Sequence, residues 1–113
     1  MRELDWTKIW ASSVDGKGLL PVVVQDSASK RNLMLVFMDE LAYKKTMETG
    51  FVTVFSRKAQ DYRVQGESRD CMLWVDSEQI GCGQNSLLLL VTAQGNHDKI
   101  CHHGGTSCFE DIV

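Results

Sequence analysis

A chain of 113 residues with a formal net charge of −3 and 43% hydrophobic residues has room for one cored domain, residues 1–113, and a globular rather than disordered composition. No basic run offers a footprint for nucleic acid, and the longest apolar stretch, Leu87 to Val91, is too short to cross a membrane. The opening MRELDWTKIW has no signal-peptide core, so the expected compartment is the cytoplasm, where four cysteines read as thiols or metal ligands before disulfides.

Leu4, Trp6, Ile9 and Trp10 have the spacing of a short amphipathic turn or helix, broken by SSVDGKG. LLPVVVQD predicts a buried strand, and its Pro21 places that strand near an edge or next to a bulge. A polar turn, SASKRN, leads to a second strand, LMLVFM, which suggests a hairpin. Asp39 then has the place of an N-cap, ELAYKKTMET the pattern of a helix, and Gly50 the place of its C-terminal stop. FVTVFS alternates as a strand, whereas RKAQDYRVQGESRD reads as a charged loop with some helix potential. CMLWVD and SLLLLVTA complete about five short strands, so the fold class is mainly β with one capping α-helix.

Cysteines and histidines concentrate toward the C-terminal end. Cys82 sits between Gly81 and Gly83, where small neighbours permit close backbone approaches, and Cys101 and Cys108 frame CHHGGTSC. Three thiolates and an open position make a catalytic zinc site. Spacing alone leaves buried reduced thiols and a Cys101–Cys108 disulfide open beside it, and no CxxC pair tunes a redox thiol. Cys71, at the start of an apolar strand, reads as a small core residue. His102 has the chemistry of a general acid or base, though His102 and His103 also read as exposed loop residues, as does His97. Arg57 and Arg63 with Gly66, Glu67 and Ser68 offer guanidinium and backbone N–H groups to a phosphate, or form a solvated connection.

Taken in order, LLPVVVQD, LMLVFM, KTMETG, FSR, GES and CHHGGTSCF resemble the signatures of the phosphoribosyl-AMP cyclohydrolase family of histidine biosynthesis, from about Gly18 to Phe109. The resemblance implies a pseudobarrel-like sheet capped by a helix in an intertwined homodimer. It also implies interfacial zinc held by Cys82 of one chain with Cys101 and Cys108 of the other. The implied reaction is hydrolytic opening of a purine ring in a nucleotide by zinc-bound hydroxide, with His102 moving a proton. Ser56, Arg57, Gly66, Glu67 and Ser68 match the family's substrate-binding signatures.

Two departures stand out. Where the family has Asp-Cys-Asp-x-Asp, which binds magnesium, this chain has Gly81-Cys82-Gly83-Gln84-Asn85, so a magnesium site of that type is not expected. The substrate loop differs at Ala59, Arg63, Gln65, Arg69 and Asp70. Together they imply an altered substrate or lost activity on a retained zinc dimer, and the alternative is a non-catalytic zinc-stapled dimer that binds a nucleotide or a protein partner.

Overall fold

The computed structural model describes residues 3–12, 18–56, 58–67, 71–95 and 107–109. The fold is mainly β. Its elements are α1 (Trp6–Ser12), β1 (Leu20–Asp26), β2 (Asn32–Met38), α2 (Glu40–Thr49), β3 (Thr53–Ser56), β4 (Asp61–Val64), β5 (Cys71–Ile80) and β6 (Leu87–Gly95). Four strands form one sheet in the order β2-β1-β6-β5, and β3 with β4 forms a separate two-stranded ribbon.

The β1–β2 hairpin forms as the sequence suggests, with Leu20 opposite Met38 and Val24 opposite Met34. β1 is nevertheless a central strand, because β6 pairs with it in parallel from Val22–Leu87 onward. Pro21 is tolerated there because it precedes the first residue paired with β6, so that its missing N–H interrupts no bond to that neighbour. The bulge lies further on, between Val24 and Gln25.

Alternation divides the sheet into two faces. Leu20, Val22, Val24, Met34, Met38, Leu87, Leu89 and Val91 are buried on the inner face, against Ile9 of α1 and Ala42 of α2. On the outer face Val23, Leu35 and Phe37 are exposed. A groove of about 430 Å3 runs over that face between Pro21, Val23, Gln25, Gln79, Ile80 and Gly81.

Helix α2 has the ends its sequence predicts. The Asp39 side chain accepts from the Ala42 N–H at 2.8 Å, and Gly50, with φ 81°, sends its N–H to the Thr46 carbonyl. α1 is a second helix beside the one expected to cap the sheet. Its start is fixed by Asp5, whose side chain accepts from the N–H groups of Thr7 and Lys8.

β4 and the second half of β5 lie where the sequence reads as loop or turn. β4 exists because Tyr62 and Val64 pair opposite Phe55 and Thr53, against an otherwise charged segment. The polar half of β5 is held by register with β6, from Ser77–Leu90 to Ile80–Leu87, after a bulge beside Asp76. Ser27 and Thr92 hydroxyls both donate to the Asp76 carboxylate, which holds it below the usual carboxylate range.

The ribbon is fastened to α2 through Thr46, whose buried hydroxyl accepts from the Thr53 N–H at 2.9 Å and donates toward the Ala42 and Thr53 carbonyls. Thr46→Val keeps the shape and leaves the Thr53 N–H unsatisfied in the core. It should lower the unfolding free energy by about 1–3 kcal/mol. Urea denaturation checks this, and an unchanged midpoint would overturn the role given to the hydroxyl.

Candidate active site

Cys82 lies in the connection between β5 and β6. Gly81 N–H donates to Ser86 O at 3.0 Å, and Gln84 N–H donates to Gly81 O at 2.9 Å, so Cys82 and Gly83 occupy the centre of a closed turn. Gln84 takes the left-handed conformation at φ 62°. The start of α1 braces this turn: Asp5 N–H donates to Gln84 O at 2.9 Å, and Gln84 Nε2 donates to Glu3 O at 3.1 Å. The Cys82 side chain is exposed on this fixed backbone.

Cys108 sits at the other end of the sheet. Its N–H donates to Leu33 O at 2.7 Å, and the Ser107 hydroxyl donates to Asn32 O, which ties this segment to β2. Leu33 stands level with the Val24–Gln25 region of β1, whereas the Cys82 turn lies beyond the Ile80–Leu87–Val22 level. With strands about 4.8 Å apart and rising about 3.3 Å per residue, Cys82 and Cys108 of one chain are roughly 15 Å or more apart. Two thiolates on one zinc ion are only about 4 Å apart. One chain therefore does not bring these two thiols to a common ion, and among the described residues no group of three His, Cys, Asp or Glu side chains gathers as a metal site. Their soft donor chemistry suits zinc only if a second chain brings them together. Cys71, the fourth cysteine, is fully buried in the core.

Around Cys82 the donors are poor for magnesium. The turn 81–85 carries no carboxylate, the Asn85 side-chain oxygen is directed over Gly83, and Lys8 Nζ lies 3.5 Å from Gly83 O. A hard divalent ion meets neutral amides and an ammonium there instead of carboxylates.

The substrate-binding residues expected from the sequence divide between the two ends of the ribbon. Ser56 pairs with Asp61 at its tip, and its hydroxyl accepts from Ala59 N–H at 3.1 Å, closing the loop. Gly66 lies beyond its base, five residues from Asp61, so one phosphate cannot touch both ends, roughly 15 Å apart. Gly66 is buried, with φ 82°, and Glu67 is exposed beside it. Arg57, Ser68, Cys101 and His102 lie outside the described residues, as do His97 and His103. Tyr62, whose place opposite Phe55 becomes visible only once β4 is known, donates its hydroxyl to Asp39 at 2.6 Å.

Comparison with known proteins places the chain in a cyclohydrolase family. More narrowly, residues 34–110 match the family model described as phosphoribosyl-AMP cyclohydrolase, and the chain belongs to that family. It is 42% identical over 106 residues to a histidine biosynthesis bifunctional protein HisIE of Xanthomonas axonopodis pv. citri, covering 94% of this chain and 47% of that protein. Likeness to the HisIE protein of Escherichia coli K12 is 41% over 112 residues, 99% of this chain and 50% of that one. A phosphoribosyl-AMP cyclohydrolase of Solibacter usitatus is 41% identical over 92 residues, 81% of this chain and 71% of that protein. The chain thus spans about half the length of the bifunctional relatives it matches. Among the described residues, no helix is long and apolar enough to cross a membrane.

Proposed function

We propose that residues 1–113 act as one cyclohydrolase domain that opens the purine six-membered ring of phosphoribosyl-AMP by hydrolysis, in the cytoplasm, as an intertwined homodimer. The observation that carries this reading is the family match over residues 34–110, a span that includes the braced Cys82 turn and the CHHGGTSC tail. Cys82 of one chain and Cys101 with Cys108 of the other would hold zinc between them. The distance between Cys82 and Cys108 within a chain supports this sharing, and so does the uncovered outer sheet face with Val23, Leu35 and Phe37, which a second copy would cover. Bound there, zinc supplies Lewis acidity that lowers the pKa of water near neutrality.

The remaining work falls to side chains. His102, next to Cys101, moves a proton between water and the opening ring. Ser56 at the ribbon tip, with Arg57 next to it in the sequence, holds one phosphate of the nucleotide. Gly66, Glu67 and Ser68 bind another part of the same ligand. The carboxylate-free turn around Cys82 makes the reaction independent of magnesium, and the changed loop residues point to a shifted substrate preference.

Zinc-loaded protein is expected to convert phosphoribosyl-AMP at the same rate whether magnesium is omitted or supplied. A rate that rises in proportion to magnesium would overturn the independence. Absence of turnover under both conditions would favour a second reading, a zinc-stapled dimer that binds a nucleotide or protein partner without chemistry. The loss of carboxylates beside Cys82 is the observation behind that alternative.

A further inference from the structure

The β3–β4 ribbon is anchored firmly at one end. At its base Val52 N–H donates to Leu73 O, Gln65 N–H to Val52 O and Cys71 N–H to Gly66 O, and Thr46 holds Thr53. Nearer the tip, Tyr62 reaches across to α2. Its hydroxyl donates to Asp39 Oδ2 at 2.6 Å, while Asp39 Oδ1 accepts from Ala42 N–H as the helix cap. One carboxylate thus links the ribbon and the first turn of α2. The Tyr62 ring meets Phe55 edge-on at 5.3 Å, and Lys45 Nζ lies 5.6 Å from its centre. Ser56 follows Phe55 directly, so the orientation of Tyr62 bears on the tip of the ribbon.

We infer that Tyr62 is a positioning residue for nucleotide binding: by bonding to Asp39 it fixes the ribbon tip that carries Ser56 against the N-terminus of α2. The inference rests on the proposal that this tip holds a phosphate. Charge-assisted O–H···O bonds of this length are among the stronger side-chain bonds, and here Tyr62 sits in β4 while Asp39 is the N-cap of α2. The phenol is pushed up to about 12, first by its bond to Asp39 and then by burial, so it stays a donor throughout the neutral range. Without the bond the base contacts remain. The ribbon still folds, but its tip samples orientations that a phosphate must then select.

Steady-state kinetics on phosphoribosyl-AMP with zinc-loaded Tyr62→Phe, Asp39→Ser, the double variant and Arg57→Ala test this. Ser can still cap α2 but is too short to reach the phenol. Tyr62→Phe and Asp39→Ser should each raise KM roughly five- to tenfold while kcat stays within about twofold, and the double variant should add nothing further. Calorimetric binding of AMP should show the same pattern without turnover. If Tyr62→Phe leaves both KM and AMP affinity unchanged while Arg57→Ala weakens them, the positioning role fails and the phosphate-binding tip stands. A lowered melting temperature with unchanged affinity likewise marks Tyr62 as merely structural and overturns the inference. Should Arg57→Ala also leave affinity unchanged, the tip is not the phosphate site and both fall together.

Discussion

Mixing Cys82→Ser protein with Cys108→Ser protein is expected to restore activity that neither variant has alone. Each variant by itself removes one thiolate from every zinc site of a homodimer, so each should lose zinc and nearly all turnover. In a mixed dimer one site takes Cys82 from the Cys108→Ser chain and Cys101 with Cys108 from the Cys82→Ser chain, and that site is complete. The other site lacks two thiolates. Random exchange makes about half the dimers mixed with one good site each, so co-refolding equal amounts should recover about a quarter of the wild-type activity and zinc. Sites closed within one chain give no recovery at all. The experiment reads the connection between chains, because both single variants retain Cys101. Failure to recover activity from a mixture that demonstrably forms mixed dimers would overturn the shared site.

The register gives a physical ground to a sharing that the sequence offers only through its family resemblance. In the sequence Cys82, Cys101 and Cys108 look like one cluster, since ligand types and glycines carry no information about which end of a sheet each occupies. β5 and β6 form a hairpin whose turn presents Cys82, while the chain carries Cys108 back to the free edge of β2. The parallel pairing of β1 with β6 sets the distance between them, and nothing in local pattern announces that pairing.

Other parts were legible because their signals are local. Asp39 and Gly50 bracket α2 since an aspartate side chain satisfies an orphan N–H and glycine accepts φ 81°. Val22 and Val24 alternate with Pro21 and Val23, which is enough to find β1 but not to show that it is central. β4 was missed because Asp61 and Arg63 face solvent and leave only Tyr62 and Val64 as an apolar signal. The extension of β5 through Ser77, Glu78 and Gln79 was missed for a related reason: backbone pairing with β6 stabilises a polar edge that side-chain pattern does not reveal. Arg57 and Gly66 read from the sequence as one phosphate loop because side-chain pattern does not reveal β4 between them.

Gly66→Ala should be the most destabilising substitution in the GES signature, for reasons of backbone rather than ligand. Gly66 has φ 82°, a region that costs a residue with a side chain roughly 1–2 kcal/mol. A Cβ at this position would lie 1.9 Å from the Cys71 carbonyl oxygen and 2.7 Å from its carbon. Those are main-chain atoms at the first residue of β5, so no rotamer change relieves the overlap. Relief requires the turn to open, and opening it breaks the 2.9 Å bond from Cys71 N–H to Gly66 O. That bond places Cys71 and Leu73 in the core, next to the Val52–Leu73 contact at the ribbon base. The combined loss should be roughly 3–5 kcal/mol, seen as a lower urea midpoint at unchanged m. Glu67→Ala, at an exposed neighbour, should stay within about 0.5 kcal/mol of wild type and reveal any ligand role through KM alone. A Gly66→Ala protein with wild-type stability and weakened nucleotide binding would reverse the assignment and make this glycine a contact for the ligand.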